Sequence, residues 1–204
     1  MKILNKLLIL IMLFAMVGCG SNKAVSGASL FSESSSQVID NEPSWYTTPE
    51  VRENWVMGKG EGVSRSKEGS RSKAVNKLIN DLARKGKVIA EGRSGDFFKE
   101  LGENTDSEVM SSYESIENSV WGGAVSGYVE IQSQTVVENT QDNQGRRKTI
   151  YRTYVVGGID KAAADKELLA KIQRDKALRT AFEETKAYDK LQEDLEKYKD
   201  SFKY

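Results

Sequence analysis

Hydrophobic positions divide the chain into one solid apolar block, one polar stretch, and a longer region of helical and alternating periodicities. The block runs from Leu7 to Val17 without a polar side chain, after Lys2 and Lys6 and before Gly18 and Cys19. It falls well short of the roughly 20 apolar residues a helix needs to cross a bilayer. A short positive start, an apolar run and a small residue are the three parts of a secretory signal. The pattern predicts a removable leader, residues 1–18, cut between Gly18 and Cys19.

From Asn22 to Asn41 serine dominates and no apolar period is sustained. Residues 19–42 therefore read as a tether, with an r.m.s. span of roughly 25 Å for a flexible coil of that length. Order is expected from Pro43-Ser44-Trp45-Tyr46 onward, with Pro49 opposing helix nearby. Asn54 to Gly58 reads as a short first strand that breaks at Gly58-Lys59-Gly60-Glu61-Gly62. A helix follows, about Ser66 to Ile89. Ala74, Val75, Leu78, Ile79, Leu82 and Ala83 form one stripe, and Ser66 is placed to cap it.

Between Gly92 and Gly122 the spacing is mixed. Val109, Met110, Tyr113, Ile116 and Val120 fit a helix better than a strand. Trp121-Gly122-Gly123 reads as the start of a hairpin. Its strands are expected at about Val125–Val137 and Thr149–Ile159, around a turn at Thr140–Gly145. Asp160 can cap a last helix with Ala164, Leu168, Leu169 and Ile172 on one side. Tyr188, Leu191, Leu195, Tyr198 and Phe202 form a thin seam, too short for a coiled coil. Such a helix either lies on its own domain or meets a partner. The order β, α, α, β, β, α predicts an α+β domain: an antiparallel sheet with a long hairpin, packed against helices. The domain is expected at 43–165, with a charged helical extension at 166–204.

Two groups of residues carry resemblances. Met16-Val17-Gly18-Cys19 resembles a lipobox, with Met16 where Leu is usual. The resemblance implies diacylglycerol on the Cys19 thiol and a fatty acyl group such as palmitate on the new amino terminus. Ser21 stands where an Asp commonly retains such proteins at an inner membrane, which implies the outer membrane in a host with two membranes. Pro43-Ser44-Trp45-Tyr46, Pro49, Gly58 to Gly62, Ala74, Ala83-Arg84 and Tyr154-Val155-Val156 ending at Asp160 resemble the LPP-twenty lipoprotein family over residues 43–165. That resemblance implies an exported α+β domain with a structural or interaction role in the cell envelope and no known catalytic residues. Ser70, Lys77 and Asp81 interrupt the alanine repeat usual in the family's helix.

Composition narrows the chemistry. There is no histidine, and Cys19 is the only cysteine. The commonest general base, the commonest metal ligand and an internal disulfide are thereby removed. Without the leader the net charge is about −2, which offers no electrostatic case for nucleic acid. No enzyme activity, cofactor or metal is expected. The partners expected are a membrane, through lipid on Cys19, and other envelope proteins.

The remaining constellations have two readings each. Trp45, Tyr46 and Trp55 can form an aromatic interaction platform or close one end of a core. Gly58 to Gly62 can cradle phosphate or mark a turn or a close backbone approach; its GxGxG spacing and Glu61 favour the latter. Asp96, Glu100, Glu103, Asp106 and Glu108 can bind calcium or form a solvated surface. Arg146-Arg147-Lys148 can touch anionic lipid or polysaccharide, or simply form a loop tip. An alternative function, a binding module for a small envelope ligand, requires an apolar pocket beneath the sheet.

Overall fold

The computed structural model describes residues 42–102 and 106–199. Gly18, Cys19, the serine-rich stretch, Glu103 and Phe202 lie outside them. The elements are α1 (Ser44–Thr47), β1 (Trp55–Ser64), α2 (Lys67–Leu101), α3 (Ser107–Ser126), β2 (Val129–Gln141), β3 (Arg147–Asp160), α4 (Lys161–Ile172), α5 (Lys176–Glu183) and α6 (Lys186–Lys197). The fold is α+β, as the sequence predicts. The sheet has strand order β1-β3-β2, antiparallel throughout.

Gly58, Gly60 and Gly62 lie inside β1 and do not end it. Their common face meets α2 at backbone contact. A Cβ on Gly60 would lie 2.0 Å from the Ala74 carbonyl oxygen, and one on Gly62 would lie 2.0 Å from that of Ser70. Neither glycine has positive φ; among the described residues only Gly102 and Gly145 do. The close-approach reading of this run therefore holds, and the turn reading does not. The helix answers with small residues of its own: Ser70 and Ala74 are fully buried. Ser70 Oγ lies 2.8 Å from Thr153 Oγ1 on β3, so both buried hydroxyls in this seam are satisfied.

Helix α2 starts as expected, with Ser66 Oγ accepting from the Gly69 N–H. It then runs past Ile89 to Leu101. Its buried side continues as Gly86, Ala90, Ser94 and Phe97, one residue per turn, so tertiary packing overrides the low helix propensity of Gly86, Gly92 and Gly95. Ala83, expected on the stripe, is exposed. The helix stops at Gly102, whose N–H still bonds Phe98 O while its φ of 80° takes the chain out of the helix.

Trp121-Gly122-Gly123 does not begin the hairpin. It lies within α3, with Trp121 buried against the space above Gly86. Val125 is helical too, and β2 starts at Val129. The alternation seen from Val125 is real only from Val129, and it shifts phase at a bulge between Glu130 and Gln132. The hairpin turn closes on the Asp142 carboxylate, which accepts from the Gln144 and Arg146 N–H groups and from Arg146 Nε. Gly145 supplies the left-handed residue there, with φ of 73°.

Asp160 caps α4 as expected, its side chain accepting from the Ala163 N–H. The single C-terminal helix expected beyond it is three helices. Asp175 caps α5 and Thr185 caps α6 through bonds from the Leu178 and Tyr188 N–H groups. Leu168, Ile172, Leu178, Phe182 and Leu191 share one core with Phe97, Tyr113 and Val120. Residues from 166 onward thus build a second core rather than trailing from the first. Leu191 belongs to that core and Tyr188 and Leu195 pack on it, which places this part of the thin seam on its own domain.

Gly60→Ala is expected to cost ~3 kcal/mol or more, because helix backbone has to retreat. Gly122→Ala, at a helical site with open space around it, should stabilise by ~0.5–1 kcal/mol. Urea unfolding of both variants checks the contrast.

Candidate functional site

Two adjoining grooves flank α2. One, of about 680 Å³, lies between α2 and α6 and is floored by Arg93, Lys161 and Leu191. The other, of about 550 Å³, is more apolar and is lined by Trp55, Met57, Val88 and Ile89, with Arg84, Lys85 and Lys161 beside them. Val88, Ile89 and Lys161 belong to both.

Beneath the first groove four elements converge on charge. Arg93 comes from α2, Glu117 from α3, Asp165 from α4 and Asp194 from α6. Asp165, 1% exposed, accepts from Arg93 Nη2 at 2.7 Å and from Lys161 Nζ at 2.6 Å. Lys161 Nζ also reaches Asp194 Oδ2 at 3.1 Å. Glu117 Oε2 accepts from Ser94 Oγ at 2.7 Å. Arg93 Nη1 lies 3.7 Å from Glu117 Oε1, within ion-pair range but beyond a hydrogen bond. Glu117 Oε1 and the Tyr113 hydroxyl are buried with no hydrogen-bond partner.

These surroundings set the charges. Burial pushes the Glu117 carboxyl up to about 7, against the opposing pull of Ser94 and Arg93. Burial, then the Glu117 charge, raises the Tyr113 hydroxyl. Burial works against the Arg93 cation, but Asp165 outweighs it and holds the guanidinium more firmly charged. Lys161 behaves likewise: Asp165 and Asp194 outweigh its burial. Chemically this is an ionic lock with one proton-holding member. Asp165 has both oxygens occupied by cations, whereas Glu117 is held through Oε2 alone.

The sequence-predicted residues fall in separate places. Tyr46 packs on Tyr154, ring centroids 4.9 Å apart, with Trp45 edge-on at 6.1 Å. Lys59 Nζ sits 4.8 Å from the Tyr46 ring centroid. Burial and the nearby Glu61 push the Tyr46 hydroxyl up to about 12. Trp55 is not part of that cluster. It lies at the start of β1 with the Arg52 guanidinium 5.5 Å from its ring centroid and lines the apolar groove. The three do not form one platform.

The acidic group disperses as well. Asp96 and Glu100 line the larger groove, and Glu100 Oε2 accepts from the Lys186 N–H at the start of α6. Asp106 caps α3, with Glu108 in its first turn. Among the described residues, no group of three or more potential ligands is placed to hold a metal ion. Gly60 and Gly62 face helix backbone and Gly58 faces Leu78 and Leu82, which leaves no cradle for phosphate. Arg147 and Lys148 begin β3, and Arg146 is tied to Asp142 at 2.7 Å. Among the described residues, no helix is long and apolar enough to cross a membrane.

No family model, curated protein or solved structure matches the chain. Arg93, Glu117, Lys161 and Asp165 went unread in the sequence. One signal was present: Glu117 sits on the Tyr113–Val120 stripe, and Asp165 between Ala164 and Leu168. A charge on an apolar stripe requires a buried partner.

Because the Glu117 pKa is raised on folding, the native state holds a proton that the unfolded chain releases. Its contribution to stability is fully present below the ordinary glutamate range and is lost as pH rises through about 7. Glu117→Gln should therefore be more stable than the parent above about pH 8, by ~2 kcal/mol, with the gap closing towards about pH 5. Arg93→Met should lose ~3 kcal/mol or more by stranding Asp165 and Glu117. Urea midpoints across pH check both.

Proposed function

We propose that this chain is a membrane-anchored lipoprotein of a bacterial cell envelope with a structural or protein-interaction role and no catalytic activity. One observation carries the reading: Lys2 and Lys6, the apolar run Leu7 to Val17, Gly18 and the lone Cys19 stand in the order that export and lipidation require. Two or three acyl chains at about 0.8 kcal/mol per buried methylene anchor a protein where one chain would not. In a host with two membranes, Ser21 after the cysteine is the feature that favours the outer one. The resemblance to the LPP-twenty lipoproteins supports the same role.

The non-catalytic part of the reading draws on the ionic lock, in which Asp165 is committed to Arg93 and Lys161 and Glu117 Oε2 to Ser94. The pocket beneath the sheet that capture of a small envelope ligand is expected to require is not met among the described residues, and a second reading of that kind rests instead on the apolar groove at Trp55, Met57 and Val88. The space between sheet and α2 is closed by the glycine contacts.

Mass spectrometry of the mature amino terminus tests the main reading. The expected species begins at Cys19 and carries diacylglycerol plus an acyl group. Cys19→Ser should move the protein from the detergent phase to the aqueous phase on phase partitioning. A purified protein that retains Met1, or a wild-type thiol left unmodified, ends the proposal.

A further inference from the structure

The two rims of the sheet are finished differently. On β1 the odd-numbered residues turn their backbone groups away from β3, and side chains of α2 take up three of those groups. Lys85 Nζ donates to Met57 O at 2.7 Å, the Lys59 N–H donates to Asp81 Oδ2 at 3.3 Å, and Lys73 Nζ donates to Val63 O at 3.0 Å. Asp81 is fixed for this by Lys85 and Arg84, both at 2.8 Å. Burial pushes its carboxyl up, but those two bonds outweigh it and hold the group below the usual range. The rim of β1 is therefore capped at Met57, Lys59 and Val63 by side chains from its own helix.

The rim of β2 has no such closure. The Asp142 N–H donates to Arg146 O at 2.9 Å, which fixes the alternation up the hairpin. Even residues from Gln132 onward bond to β3. Ser133, Thr135, Val137, Asn139 and Gln141 point their N–H and C=O groups outward. Arg71 reaches β2 only through the Glu130 and Ser133 side chains. Among the described residues, no side chain of another element bonds the β2 backbone. The usual edge protections are also missing: β2 contains no Lys and no Pro. Its two acids are neutralised within the molecule, Glu130 by Arg71 at 2.9 Å and Glu138 by Arg152 at 2.6 Å. The bulge lies at its first residues only, and Val137 is 55% exposed.

We propose that β2 pairs antiparallel with β2 of a second copy of this chain, about a twofold axis at Val137, to make one continuous sheet across two molecules. The chemistry of the strand selects a like partner. In that register Val137 meets its mate, Thr135 meets Asn139, Ser133 meets Gln141, and Val136 meets Glu138 on the opposite face. No like charges oppose each other, and the exposed valine is covered by itself. The closed rim of β1 stops further strand addition, so the assembly ends at two copies.

The test is the protein mass of the full chain in detergent, measured by size-exclusion chromatography with light scattering. The wild type is expected at twice the chain mass. Val137→Lys places two cations on the axis, and Val137→Pro removes an N–H that β3 does not use. Both should run at the mass of one chain with an unchanged circular dichroism spectrum. Val88→Lys, at an exposed site on α2, should stay at two copies. If Val137→Pro loses its spectrum, Val137→Lys alone decides. A wild type that runs as one chain at its highest soluble concentration overturns the proposal, as does a dimer that survives Val137→Lys.

Discussion

Contact between the backbone of β1 and the backbone of α2 is the constraint on which the rest of this domain depends. It exists because Gly60 and Gly62 lack the one atom that would prevent it, and because Ser70 and Ala74 present little more. Helix and sheet normally keep a layer of large side chains between them; here that layer is missing for a stretch of β1. Two consequences follow. Lys73, Asp81 and Lys85 come within reach of the strand's outer rim, so one helix both covers a face of the sheet and closes its edge. Buried apolar area is also scarce at this seam, and larger side chains flank it: Leu78 and Leu82 on the helix, with Val56, Val155 and Ile159 on the sheet.

The same helix continues into a different kind of interface. Beyond Gly86, α2 leaves the sheet and meets α3, α4 and α6 around Phe97 and Tyr113. Aromatic rings dominate there, Phe97, Tyr113 and Phe182 lying 4.6–5.6 Å apart between centroids. The Arg93–Asp165–Lys161–Asp194 chain ties those helices together at one side. Burying an Arg and an Asp costs more than burying leucines of the same volume, so the lock contributes little net stability. What it can contribute is register. Arg93 satisfies Asp165 only when α2 and α4 stand at one height, and Lys161 reaches Asp194 only when α6 folds back over α4.

How much of this the sequence carried depended on whether the signal was local. The hairpin, the capping of α2 and α4 by Ser66 and Asp160, and the α+β class were all legible, because periodicity and cap chemistry are written within a few residues. The ends of elements were not. Gly92 and Gly95 argue for a break after Ile89, and only the burial of Ala90, Ser94 and Phe97 against distant elements explains why α2 continues. Trp121-Gly122-Gly123 looks like a turn, yet Val120, Trp121 and Ala124 face a core that its neighbours in sequence do not reveal. The GxGxG run shows the same limit. Its need for closeness was readable from residue type, but what it is close to is set by a helix whose buried face is known only after folding. The ionic lock joins residues 93, 117, 165 and 194, and no local pattern can pair positions so far apart.

The two rims of the sheet bear on function through this same asymmetry. A strand edge in a soluble, dilute protein is a hazard, and proteins normally blunt it. On the lipoprotein reading, anchoring through Cys19 holds copies in a plane and raises their effective concentration, so a contact that forms between free copies is populated further. An edge without Lys or Pro, with its two acids already paired inside the molecule, is then a usable surface. The closed rim of β1 keeps that surface from propagating into a fibre. Glycines at the helix seam thus determine which side of the sheet stays open: they bring α2 close enough to seal β1, and α2, lying over β1 and β3, leaves the backbone of β2 unsealed.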